Sequence, residues 1–199
     1  MSKHKAPVYL VGILVGGRGS RMGDRKKGLL RTRELGEPTI LTRLDRTITE
    51  ALGAVPRVLV GRSDGYEAYT FPTVTDEPED VGPLGGLHAA LLYAAQRGAS
   101  QLIALACDLP YLEAEVLLAL AEHSEGAKAV APQAATGIFE PLIARYNVAE
   151  SLPAVEAALG SGRYSLQQVL RALACEPLEL SLAARASLRD WDTPADMER

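Results

Sequence analysis

The chain alternates between short, unbroken apolar runs and longer stretches whose apolar residues recur at helical spacing. The run at 8–15, VYLVGILV, stays apolar without alternating, the pattern of a parallel strand covered on both faces. Runs at 57–60, 73–75 and 101–106 predict a second, third and fourth strand, and 127–130 a further one. Another strand is expected at 140–144, at a sheet edge if Pro141 falls inside it. Ile40, Leu41, Leu44 and Ile48 share one face of a helix opening at 38–41. Residues 83–96 read as a helix with Pro83 near its first turn. Residues 113–123 and two alanine- and leucine-rich segments, around 151–159 and 165–174, read as further helices. The alternation predicts an α/β fold: three α/β/α layers around a Rossmann-like, mostly parallel sheet. No repeat, low-complexity tract or linker interrupts it, so 1–199 is expected to form one domain. Ligands of open α/β sheets bind beyond the carboxyl ends of the strands, so chemistry is sought where the apolar runs stop.

The first run stops in glycines and turns basic: Gly16, Gly17, Arg18, Gly19, Arg21, Met22, Gly23, then Lys27-Gly28-Leu29-Leu30. Glycines let the backbone approach a phosphate with its N–H groups exposed, and a following helix adds its positive end. Arg21 and Lys27 would supply a forked and a point charge. The Walker loop is excluded because glycine and leucine, not serine or threonine, follow the lysine. The dinucleotide fingerprint is excluded because Met22 stands where its third glycine belongs. An ordinary strand-to-helix turn bearing surface cations is the plainer alternative.

The fourth run ends at Cys107-Asp108-Leu109-Pro110, which sets a carboxylate on the same rim. Asp108 suits Mg²⁺, which takes one or two carboxylates plus phosphate oxygens. It would also suit a turn or a cap for the next helix. Asp76 precedes the turn Gly82-Pro83-Leu84-Gly85-Gly86, which could meet a base or ribose or be a plain helix start. Near the C-terminus, Asp190 and Asp192 precede Thr193-Pro194, a helix-start pattern. Gly162, Arg163 and Ser165 could hold a phosphate or merely join two helices, and Arg145 admits the same two readings.

Composition narrows the choice. A 47% hydrophobic and 23% charged chain is ordinary for a globular protein. The net charge of −4 gives no basic field for nucleic acid or an anionic membrane. The early cations suit a small polyanion instead. The two cysteines and three histidines show no metal-ligand spacing. No signal peptide or membrane span is read, and the cytoplasm is expected.

The glycine-rich segment resembles the L-A-G/A-G-x-x-x-R-M-G-x-x-K signature of nucleotidyltransferases that activate sugars, isoprenoid precursors and the molybdenum cofactor. Leu14, Gly16, Gly17, Arg21, Met22, Gly23 and Lys27 match, Val15 replaces the usual alanine, and one extra residue makes Lys27 a better counterpart than Lys26. Together with Cys107-Asp108-x-Pro110 and the Gly-Pro-Leu block, the chain resembles the molybdenum cofactor guanylyltransferases, the MobA family. The resemblance implies the nucleotide-diphospho-sugar-transferase-like fold. It implies a nucleotide-binding half, about 1–110, and an acceptor half, about 111–199.

It further implies GMP transfer from GTP to the terminal phosphate of molybdopterin, with release of pyrophosphate. Arg21, Lys27 and Asp108 would be catalytic. Leu14, Val15, Gly16, Gly17, Lys27, Asp76, Gly82, Pro83, Leu84 and Asp108 would bind nucleotide. Asp108 and Asp192 would hold Mg²⁺, with Asp190 in reserve; Gly162, Arg163 and Ser165 would meet the acceptor. Proteins that deliver molybdopterin or receive the product are the implied macromolecular partners. The family's asparagine after the second strand is Gly61 here, so that contact is not carried over. A molybdopterin cytidylyltransferase, a sugar nucleotidyltransferase and a nucleotide-binding module without turnover are the alternatives.

Overall fold

The computed structural model describes residues 7–15, 26–32, 36–62, 64–76 and 78–191. Its strands are β1 (Tyr9–Leu14), β2 (Arg31–Thr32), β3 (Gly36–Thr39), β4 (Arg57–Val60), β5 (Thr73–Val74), β6 (Gln101–Ala106), β7 (Ala129–Pro132), β8 (Ile143–Asn147) and β9 (Glu176–Leu178). Its helices are α1 (Ile40–Leu52), α2 (Pro83–Gln96), α3 (Ala114–Glu122), α4 (Val148–Gly160), α5 (Leu166–Ala172) and α6 (Leu182–Ala186), and a 3₁₀ turn spans Lys27–Leu29. Seven strands form one sheet in the order β5-β4-β1-β6-β8-β7-β9, parallel except for β8, while β2 and β3 make a separate hairpin.

Alternate side chains of each strand enter opposite cores. Leu10, Leu14, Val58, Val60, Leu102 and Ala104 face the layer of α2, α4 and α5. Val11, Ile13, Leu59, Ile103 and Leu105 face the layer of α1 and α3. Burial on both faces is why these strands read as continuous apolar runs. Each fully buried leucine or isoleucine contributes about 1.5–3 kcal/mol to holding the layers together. The three-layer expectation holds.

Three local expectations change. The strand expected at 140–144 runs instead over Ile143–Asn147 and sits between β6 and β7, with Pro141 outside it, so it is not an edge strand. Helix α4 starts earlier than expected, because the Asn147 side chain accepts a hydrogen bond from Glu150 N–H (3.2 Å) and caps it. Strand β9, helix α6 and the β2–β3 hairpin have no counterpart among the expected elements.

Arg145 is the polar residue that makes β8 hard to read. It is 1% exposed, and its guanidinium donates to the carbonyls of Ala121, His123 and Ser124, at and just beyond the end of α3. Those carbonyls lack partners within the helix, and a cation there also meets the negative end of the dipole. Arg145 is therefore structural and not a phosphate ligand. Arg145→Leu is expected to cost about 3 kcal/mol, a fall of roughly 10 °C in Tm for a chain of this size, read by thermal unfolding.

Candidate active site

Strand β1 is the point at which the sheet changes direction. The chain moves outward through β4 and β5, then returns to lay β6 on the other side of β1. In doubly wound sheets ligands are taken beyond the carboxyl ends of the strands at such a reversal of strand order, here the ends of β1 and β6. Leu14 and Ala106 end the two strands in register, and Cys107 N–H donates to the Leu14 carbonyl (3.2 Å). Val15 N–H donates to the Val60 carbonyl (2.8 Å), which carries the parallel pairing of β1 and β4 one residue past the end of β1.

Asp108 follows directly. Its carboxylate Oδ2 accepts from Lys27 Nζ at 2.8 Å, the two side chains being 15% and 21% exposed. Asp108 does not cap α3, whose N-cap Glu113 has no side-chain cap hydrogen bond. Lys26 turns the other way, donating to the Asp64 carbonyl and lying over the Tyr66 ring at 6.0 Å. Lys27, not Lys26, thus faces the rim. Cys107 is buried beneath Gly28; burial first, and the Asp108 charge second, push its thiol up to about 12, so it is no nucleophile.

On the β4–β5 side, Asp76 lies against the first turn of α2. Gly82 is the N-cap at φ 70, a backbone setting glycine adopts without strain, and Pro83 holds the first helical position. A Cβ on Gly86 would sit 3.1 Å from Leu14 Cδ2 and 3.2 Å from Asp76 Oδ1, and one on Gly85 would run into the Pro78 carbonyl. The glycines therefore let the helix start press onto both the end of β1 and the Asp76 carboxylate. Partial burial first, and Glu79 second, raise the pKa of Asp76, opposed by Arg62. Gly61, where the family has asparagine, donates its N–H to Val74 (2.8 Å) and offers no side chain.

The other side of the rim is built by the segment after α6. Trp191 N–H donates to the Asp108 carbonyl (3.0 Å), which ties that segment to the end of β6. Arg189 lies over Tyr111 at 5.3 Å, and Tyr111 meets Trp191 edge-on. Beside them opens a cleft of about 580 Å³ lined by Pro132, Gln133, Glu140, Arg185, Leu188 and Arg189, among others. Leu142 accepts from Ala106 N–H (2.8 Å), which keeps Glu140 close to the end of β6. Desolvation and then the charge of Asp190 raise the Glu140 carboxyl. None of Gln133, Arg185 and Arg189 carried a sequence signal of its own.

Gly162, Arg163 and Ser165 lie on the loop between α4 and α5. This loop closes α4 by backbone bonds: Gly162 N–H to Leu159 (3.0 Å) and Arg163 N–H to Ala158 (2.9 Å), with Gly162 at φ 69. Arg163 is exposed, and Ser165 is the N-cap of α5 without a side-chain cap bond. Reciprocal bonds between Gln167 and Phe139 link the start of α5 to the strip that carries Glu140. Gly16, Gly17, Arg21 and Asp192 lie outside the described residues.

The fold is one shared with solved nucleotidyltransferases. The chain superimposes on a nucleotidyl transferase from Methanothermobacter with a TM-score of 0.70, at 16% identity and covering 95% of this chain and 94% of that one. Molybdopterin-guanine dinucleotide biosynthesis protein A from Archaeoglobus fulgidus superimposes at 0.69, with 25% identity over 95% of each chain. In sequence, a probable molybdenum cofactor guanylyltransferase of Opitutus terrae is 35% identical, with 94% of this chain and 92% of that protein covered. A molybdenum cofactor guanylyltransferase of Pseudomonas putida is 33% identical, with 94% of each covered. The family model for the MobA-like NTP transferase domain matches residues 11–177. The chain belongs to the MobA-like NTP transferases, and it is a nucleotidyltransferase.

Proposed function

We propose that this chain is a cytoplasmic enzyme that transfers GMP from GTP to the terminal phosphate of molybdopterin, forming the guanine dinucleotide and pyrophosphate. The observation that carries this reading is the Lys27–Asp108 pair at the β1–β6 switch point, in a chain whose relatives over most of its length are molybdenum cofactor guanylyltransferases.

The nucleotide would lie over the carboxyl ends of β1, β4 and β5. Leu14, Val15, Gly16 and Gly17 would line the phosphates, and Gly82, Pro83 and Leu84 would bring backbone groups to the nucleoside beside Asp76. The acceptor's ring system would occupy the cleft beside Glu140, with its phosphate toward Asp108. Gly162, Arg163 and Ser165 remain part of that half.

A divalent cation fits the donor set. Asp108 offers a rim carboxylate, Asp190 stands near Glu140, and Asp192 directly follows the residue bonded to the Asp108 carbonyl. Mg²⁺ takes one or two carboxylates and completes its shell with water and substrate phosphate oxygens. Bound there, Mg²⁺ would act as template and Lewis acid.

An oxygen of the acceptor phosphate attacks the α-phosphorus of GTP; the bond from that phosphorus to the bridging oxygen breaks, and pyrophosphate departs with the electron pair. A phosphate monoester has its second pKa near 6, so it is largely dianionic at pH 7 and needs no general base. The chain's task is then positioning and charge neutralisation. Lys27 and Arg21 meet the charge growing on the leaving pyrophosphate. Lys27 must exchange Asp108 for phosphate oxygen as the site loads.

Asp76 yields a prediction with opposite effects on stability and binding. Its raised pKa means that folding favours the protonated acid, so its contribution is full below about pH 3.9 and is lost as pH rises through the folded value. Asp76→Asn should therefore raise Tm at pH 7, with the gain vanishing near pH 4. GTP affinity should fall about tenfold, the scale of one charge-assisted hydrogen bond. Thermal scans at both pH values and a GTP titration test the pair of effects.

A cytidylyltransferase would show the same geometry with CTP as donor, and parallel assays with GTP and CTP in the presence of molybdopterin separate the two. A binding module would take up nucleotide without releasing pyrophosphate.

A further inference from the structure

Lys27 has a long, flexible stem on a three-residue 3₁₀ turn, and such a turn cannot hold itself in place. Its backbone bonds are Leu29 N–H to Lys26 (3.0 Å) and Leu30 N–H to Lys27 (3.1 Å). The inner face of the turn is Gly28, which is buried. A Cβ there would lie 3.0 Å from Tyr66 Oη, 3.2 Å from Tyr66 Cε1 and 3.4 Å from Cys107 Cβ. The turn thus rests on two surfaces: Cys107, the neighbour of Asp108, and Tyr66, far away in sequence on the loop between β4 and β5.

That loop grips both ends of the turn. At the front, Lys26 donates to the Asp64 carbonyl and its stem packs where a Cβ on Gly65 would stand, 3.3 Å from Lys26 Cδ. At the back, the Tyr69 hydroxyl bonds with Thr39 and Thr42 at the start of α1, and Ile40 N–H donates to Leu30 (2.9 Å). Tyr66 itself is 2% exposed, and its ring sits 6.3 Å from that of Tyr69.

We propose that Tyr66 is a positioning residue for Lys27: its buried ring and hydroxyl oxygen set the height of the Lys27–Leu29 turn, and thereby the point at which the ammonium meets Asp108 and the phosphates. The ring forms the wall, and the oxygen is the spacer nearest to Gly28. A Cβ on Gly28 would press on that wall at 3.0–3.2 Å, so on this reading the turn shifts outward and draws Lys27 away from the rim. The effect on turnover rests on the transferase reading; the placement of the ammonium does not.

The test compares Gly28→Ala, Gly28→Ala combined with Tyr66→Phe, and Tyr66→Leu. It uses two readouts: kcat and KM for GTP, and the Nζ ammonium signal of Lys27 in ¹⁵N-lysine-labelled protein, assigned with Lys27→Arg. Gly28→Ala should lower kcat roughly 10- to 100-fold, as expected for a misplaced group. KM for GTP should stay within about threefold, the signature of an interaction that matters in the transition state. The ammonium signal should broaden into solvent exchange. Adding Tyr66→Phe removes the atom at 3.0 Å and should restore kcat at least about fivefold, with recovery of the signal. Tyr66→Leu should lose both.

A merely space-filling tyrosine gives a different result: Tyr66→Leu lowers Tm while kcat and the ammonium signal of the folded protein persist. That outcome overturns the proposal, as does a double variant no better than Gly28→Ala. If Tyr66→Leu does not fold, the Gly28→Ala pair decides alone. If the wild type releases no pyrophosphate, the transferase reading fails, and the ammonium signal still decides the placement of Lys27.

Discussion

Asp108→Asn is expected to lower kcat for magnesium-dependent pyrophosphate release by about 10³-fold or more, with little change in fold. The loss combines two effects. Removing a transition-state charge partner typically costs about 10²–10³-fold. Removing an anionic ligand also weakens the cation that would sit there, since neutral amide oxygen suits Mg²⁺ less well than carboxylate. The fold should survive because the residue that ties down the C-terminal segment is the Asp108 carbonyl, through Trp191 N–H, and asparagine keeps that carbonyl. Lys27 loses its 2.8 Å bond to the Asp108 carboxylate, and at 21% exposure water can take the place of that carboxylate. Raising magnesium should recover only part of the activity. A variant with wild-type kcat would remove Asp108 from the mechanism.

Lys27→Met is the second large effect, a fall in kcat of about 10²–10³-fold with a smaller change in KM for GTP. Methionine keeps most of the stem's packing and removes the charge alone. Lys27→Arg should not restore the rate, because a planar fork held at a different reach cannot replace a point charge set by the turn. Lys26→Met should be mild, within about threefold, since Lys26 is engaged with Asp64 and the Tyr66 ring away from the rim. Steady-state kinetics on the three variants separate the roles, and equal losses at Lys26 and Lys27 would contradict the assignment.

The strands flanking the switch point were the most legible elements, because β1 and β6 are buried on both faces and carry no charged residue to disguise them, the one amide, Gln101, standing at the first position of β6. Strand β8 was misplaced by three residues because Arg145 reads as exposed until its carbonyl partners beyond α3 are known. Strand β9 is short and contains Pro177; it forms only by pairing at the edge of the sheet with β7. The β2–β3 hairpin lies in a charged stretch without alternation.

The site divides in the same way. Lys27 and Asp108 stand next to apolar runs in a recognisable pattern, and the fold brings them together at 2.8 Å. Tyr66 stands in a polar loop, and nothing local marks it; its role comes from a contact 38 residues distant in sequence, at Gly28 (66 minus 28). The Trp191–Asp108 bond is a backbone contact and leaves no trace in side-chain type. Gly82, Pro83 and the glycines after them were legible as a helix start, whereas their close approach to Asp76 and Leu14 was not.

The measurement that tests the central claim most directly is magnesium-dependent pyrophosphate release by the purified protein, supplied with molybdopterin and with GTP or CTP in parallel. The account predicts release with GTP and molybdopterin together, none when either is omitted, and its loss in Asp108→Asn. Release with CTP alone would keep the mechanism and overturn the choice of base. No release with either nucleotide, in protein that still binds GTP, would contradict the transferase assignment itself.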